Sequence, residues 1–98
     1  MDASQARRLT SEFQTVYGWL FRYVNGSWWA WDVDLACWDW MGVEQRMGAA
    51  LLALAEDLFP GEEKLHRQVN QIYRQRELIK ELRFPLTRAT LPADPRSQ

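Results

Sequence analysis

One cysteine and one histidine, Cys37 and His66, are all that this chain of 98 residues has of those two types. That excludes an internal disulfide and any zinc site made of cysteine and histidine, so no metal or other cofactor is expected. A reducing compartment suits such sparse cysteine usage. Long hydrophobic runs are missing too. The longest uncharged apolar stretch, Met47 to Ala55, is far short of the roughly 20 residues that a membrane-spanning helix needs. The N-terminus lacks the basic-then-apolar layout of a secretory signal. A soluble, cytoplasmic protein with no membrane partner is therefore expected. Without a secretory signal the triplet Asn25-Gly26-Ser27 carries no glycosylation meaning, and Asn25-Gly26 reads as the left-handed exit of a helix.

The residues of a catalytic centre are equally scarce. Cys37 and His66 lie in different segments, with no third group to orient the imidazole. Asp32 and Asp34 are neighbouring carboxylates, but no glycine-rich phosphate loop or ligand cluster accompanies them, so they read as capping or rim charges. No enzymatic activity is expected. Lysine is rare, with two against ten arginines, and this balance together with frequent alanine points to a GC-rich bacterial source.

What the chain has in excess is tryptophan. Five of its six tryptophans fall between Trp28 and Trp40, interleaved with Asp32, Asp34 and Asp39. An indole brings a large apolar area and one N–H that needs a partner when buried, so five in thirteen residues cannot all turn inward on regular spacing. Tryptophan is also the residue type most enriched at binding hot spots. The expected contact surface comprises Trp28, Trp29, Trp31, Asp32, Asp34, Trp38 and Asp39, with Trp28, Trp29 and Trp31 as anchors in a partner's pocket and the carboxylates steering against its basic rim.

Net charge is close to zero, but its distribution is not even. Residues 27–61 carry six acidic side chains against Arg46, and residues 62–88 carry seven basic side chains against four glutamates. The two segments could satisfy each other by packing side by side, or each could face a different partner. Within the basic segment Arg67, Arg74 and Lys80 fall near one helical stripe, an alternative nucleic-acid contact, although Glu63, Glu77 and Glu81 interrupt it.

Hydrophobic periodicity predicts three long helices. Ala6, Leu9, Phe13, Val16, Tyr17, Leu20 and Val24 recur at intervals of three and four, which places a helix over about 4–24, with Asp2 and Gln5 as its capping box. Ala36, Trp40, Val43, Met47, Ala50, Leu51, Leu54 and Leu58 predict a second, ended by Pro60-Gly61. Leu65, Val69, Ile72, Tyr73, Ile79 and Leu82 predict a third, ended before Pro85. The tryptophan run fits either period two or a helix. Because no second convincing strand is evident, it is read as a short helix or loop.

The expected fold is thus all-α: a small three-helix bundle, with four helices as the alternative, a tryptophan-rich connection between helices one and two, a domain over 1–84, and a mobile proline-containing tail over 85–98. Its core would hold Leu9, Phe13, Val16, Leu20, Val43, Met47, Leu51, Leu54, Leu65, Val69, Ile72 and Ile79. The expected function is that of a non-enzymatic protein-binding module, an inhibitor or regulator of a protein partner. Short helical proteins with aromatic patches are common among bacterial and phage-encoded inhibitors, an association of class rather than a derivation. A transcriptional regulator using the basic third helix and a homodimeric adaptor are the alternatives.

Overall fold

The computed structural model describes residues 1–96, and the last two positions expected in the tail lie outside the described residues. The chain runs α1 (Ala3–Tyr17), a 3-10 turn (Gly18–Leu20), β1 (Phe21–Val24), β2 (Ser27–Asp32), β3 (Cys37–Asp39), α2 (Val43–Leu58), α3 (Glu63–Val69) and α4 (Ile72–Leu86). The strands form one antiparallel sheet in the order β1-β2-β3. The fold is therefore mixed helix and sheet, not the expected all-α bundle, and the tryptophan run is strand β2 instead of a helix or loop.

Two ambiguities in the sequence account for that correction. Leu20 and Val24 continue the helical spacing of Leu9 and Phe13, yet Phe21 and Tyr23 also alternate with Arg22 and Val24 at the period of a strand. The chain leaves α1 at Gly18 and becomes extended at Phe21. Second, Asn25 and Gly26 both take positive φ, 51° and 79°, as the two central residues of a tight hairpin require. The pair read as a helix stop is instead the turn that folds β2 back on β1, aligning Val24 with Ser27 and Phe21 with Ala30. The partner strand that seemed to be missing was the end of the expected first helix.

The Asp2–Gln5 capping box opens α1 as expected. The second helix starts later than the periodicity implied, at Val43, after a left-handed Gly42. The expected third helix is two, broken at Asn70-Gln71, and α4 continues through Pro85 to Leu86.

One core joins all these elements. Leu9 and Phe13 of α1, Val43, Met47, Leu51 and Leu54 of α2, Leu65 and Val69 of α3, and Leu78, Ile79, Leu82 and Leu86 of α4 pack with Phe21, Trp28 and Ala30 from the inner face of the sheet. Helix α1 packs on α2 and α4, while β2 lies on α2 and β1 on α4. Gly48 sits where α4 comes close, and a Cβ there would run into the Gln75 side-chain amide. Val16 and Ile72, expected inside, are exposed, because α1 ends one residue after Val16 and the break before α4 turns Ile72 outward. No helix among the described residues is long and apolar enough to cross a membrane.

Candidate functional site

Strand register sorts the tryptophans by parity. Trp28 and Ala30 face the helices, whereas Trp29 and Trp31 point to the other side of the sheet, level with Arg22 of β1 and Trp38 of β3. Trp28 is 7% exposed, packs against Tyr23 at 4.9 Å, and has a buried indole N–H with no partner among the described residues. It is a core residue. Trp29, Trp31 and Trp38 are half-buried on the outer face, the last two edge to face at 5.3 Å. Trp40, just past β3, is 65% exposed.

The carboxylates are drawn into local structure. Asp32 Oδ1 accepts the N–H groups of Asp34 and Leu35 at 2.9 and 3.0 Å, shaping the turn between β2 and β3. Asp39 Oδ1 accepts the Met41 N–H at 3.0 Å, and its other oxygen lies 3.5 Å from Arg46. Asp34 is exposed and forms no ion pair among the described residues. Of the three aspartates expected to steer a partner, it alone keeps a charge free of such ties.

The outer face is covered by the chain itself. The segment after α4, expected to be mobile, crosses it with Pro95 buried and Leu91 and Pro92 half-buried. Trp38 Nε1 donates to the Pro92 carbonyl at 2.7 Å, and Arg22 Nη2 donates to the Pro95 carbonyl at 2.8 Å. Arg22 is itself 6% exposed and also donates to the carbonyls of Gly18 and Phe21. Burial, reinforced by the charge of Arg88, lowers its pKa. Arg22 was not singled out from sequence, and the only signal was an arginine in the alternating run Phe21-Arg22-Tyr23-Val24.

The two edges of the sheet differ. Beside β1, Tyr23 bridges to Thr87 and its carbonyl accepts the Arg88 N–H at 3.0 Å. Strand β3 is the other edge, and no backbone hydrogen bond to another segment covers it among the described residues. At one end of β3 stand Val33 and Leu35, 65% and 72% exposed, and at the other Trp40 and Met41, 65% and 63% exposed.

Comparisons with protein-family models, curated proteins and solved structures find no match.

The basic side chains of the alternative site are dispersed. Arg67 lies on α3, while Arg74 on α4 pairs with Glu77 at 3.2 Å and rests near the Tyr73 ring. Lys80 is exposed on α4. Two other arginines are better placed: Arg76 and Arg83 line an open groove of about 730 Å³ with Trp28, Trp29, Trp40 and Glu44. The stripe chosen from sequence omitted both, because their aromatic neighbours come from the sheet. His66 Nε2 lies 2.8 Å from the Phe59 carbonyl, which only accepts, so the imidazole donates there and ties α3 to the end of α2. Cys37 is exposed on β3. Among the described residues no group of three His, Cys, Asp or Glu side chains could hold a metal ion.

Proposed function

We propose that this protein is a small non-enzymatic binding module that captures a protein partner, as an inhibitor or regulator, along the β3 edge. The observation that carries this reading is the unequal treatment of the two sheet edges. An unpaired strand edge offers backbone donors and acceptors to an added strand, and exposed apolar side chains at both ends of it supply the burial that makes such pairing stable. Val33, Leu35, Trp40 and Met41 then take the anchoring role, with Asp34 facing the partner's basic rim. Trp31 and Trp38 back the edge from the outer face. Trp28 contributes by holding the sheet to α2.

A second reading, association with nucleic acid, draws on the groove in which Arg76 and Arg83 flank Trp29 and Trp40, since stacking platforms combined with cations suit single strands. Capture of the tagged protein's partner from nuclease-treated lysate of its source separates the two. The variant Val33→Asp/Leu35→Asp/Trp40→Ala should lose the retained protein while its melting temperature stays within a few degrees of the parent, because all three positions are exposed. Arg76→Glu/Arg83→Glu should keep it. Retention seen only when the nuclease is omitted, lost by the second variant and steeply salt-dependent, would favour the nucleic-acid reading. A concentration-dependent dimer abolished by the first variant would make the partner a second copy of the chain.

A further inference from the structure

The segment that crosses the outer face of the sheet is held in an unusual way. Its last backbone-to-backbone hydrogen bond among the described residues is the Arg88 N–H to the Tyr23 carbonyl. Beyond that point, the hydrogen bonds that fasten it to the rest of the fold are given by side chains of the folded body to carbonyl oxygens of the segment: Trp38 to Pro92 and Arg22 to Pro95. Arg96 adds a third point, with its guanidinium 4.7 Å over the Trp19 ring. Asp94 faces solvent and uses its carboxylate to accept the Arg96 N–H at 2.9 Å. Contacts therefore fall on Pro92, Pro95 and Arg96, and the two residues between the prolines, Ala93 and Asp94, are exposed.

This is how a groove binds a peptide through its backbone carbonyls. Ala93 to Arg96 form a bend and a turn in which the Asp94 carboxylate accepts the Arg96 N–H, and the fixed φ of Pro92 and Pro95 limits the shapes open to the free segment while their carbonyls meet indole and guanidinium donors set among aromatic rings. The donors here belong to well-packed elements. Arg22 is fixed by the carbonyls of Gly18 and Phe21 and lies 5.6 Å over the Trp38 ring, and Trp38 is braced by Trp31. A guanidinium this buried, bonded only to carbonyls, is poorly satisfied once the Pro95 oxygen leaves. The site favours occupancy.

We infer that the Arg22–Trp38–Trp19 face is a recognition site for turn-forming peptides of the pattern Pro-x-x-Pro-Arg, and that residues 91–96 are its intramolecular occupant, which a partner segment of the same chemistry replaces. The surface shares Trp38 with β3 but uses the outer face of the sheet and not its unpaired backbone edge, so the inference stands without that reading. An attached segment competes at an effective concentration on the order of millimolar, so a free peptide gains access only after the resident is weakened.

The test uses the full chain and a labelled peptide of residues 89–96. The wild type should bind it weakly. Pro92→Ala/Pro95→Ala in the chain should tighten binding at least tenfold and move the Trp38 indole N–H resonance back toward its wild-type position as peptide is added. The peptide carrying the same two alanines should bind at least tenfold more weakly. A folded double variant that binds neither peptide, or both alike, would overturn the inference. Should that variant fail to fold, a protease-cleavable insert between Ala89 and Thr90 lets the chain fold before it is cut. The severed segment should then exchange with labelled peptide while the remainder stays folded. Unfolding on cleavage, or no uptake of peptide, would make the segment a structural cover only. A dimer of the uncut chain dispersed by excess peptide would replace the partner with a second copy.

Discussion

Trp28 and its neighbours show how one residue type takes several roles through placement alone. Buried against Tyr23 and the α2 helix, Trp28 should behave as a core side chain, and Trp28→Ala should cost about 3–5 kcal/mol in urea unfolding. Its indole N–H has no partner among the described residues, a burden of about 1–3 kcal/mol that Trp28→Phe removes. That relief offsets much of the lost packing, so Trp28→Phe should lie within about 1.5 kcal/mol of the wild type. An unchanged midpoint for Trp28→Ala would place the ring outside the core. The sequence made clear that five tryptophans in thirteen residues exceed what one small core can hold. It did not make clear which of them turn inward, because that depends on strand parity, and parity is fixed by a register set at Asn25-Gly26. Asp32 and Asp39 present the same difficulty: their charges were legible, but the turns they hold exist only once β2 and β3 are paired.

The hairpins are where local chemistry and overall topology meet. Gly26 sits at φ 79° with open space around its α-carbon, so Gly26→Ala should cost roughly 1–2 kcal/mol through backbone conformation alone. Ala36, in the turn between β2 and β3, takes φ 51°, and Ala36→Gly should stabilise the fold by up to about 1 kcal/mol. Denaturant midpoints of the two variants should thus move in opposite directions. Movement in the same direction would contradict the positive-φ turns. Asn-Gly is both a helix terminator and the strongest short hairpin signal, and choosing between them requires knowing whether the preceding residues are helical. Phe21 to Val24 fit both periods. The helices were more legible, since Leu9 and Phe13, Met47 and Leu51, and Leu65 and Val69 repeat over stretches too apolar on one face to be anything else.

Across the whole molecule, the acidic middle and basic third segments do not neutralise each other. The two ion pairs among the described residues, Asp39 with Arg46 and Arg74 with Glu77, are both internal to their own segment. Apart from Asp32, which holds a turn, the remaining charged side chains of the two segments are exposed. Arg22 is one of the ties that hold the closing segment down, so Arg22→Met should loosen it. Losing a charged hydrogen bond of about 1.5–3 kcal/mol should speed tryptic cleavage after Arg88 by roughly ten- to a hundredfold relative to cleavage after Arg7 or Arg8 in α1. Equal acceleration at all three sites would mean global unfolding and not release of the segment. By itself the sequence determined the lack of a disulfide framework, the helical faces of α1 and α2, and the presence of more indole surface than a core could absorb, because composition and local periodicity suffice for these. Only the tertiary structure decided that the tryptophan run is a strand, that its outer face is roofed by a proline-containing segment, and that β3 is left open. Those outcomes depend on pairing residues distant in the chain, such as Trp38 with Pro92 and Tyr23 with Thr87, and no local pattern encodes which distant partner will meet which.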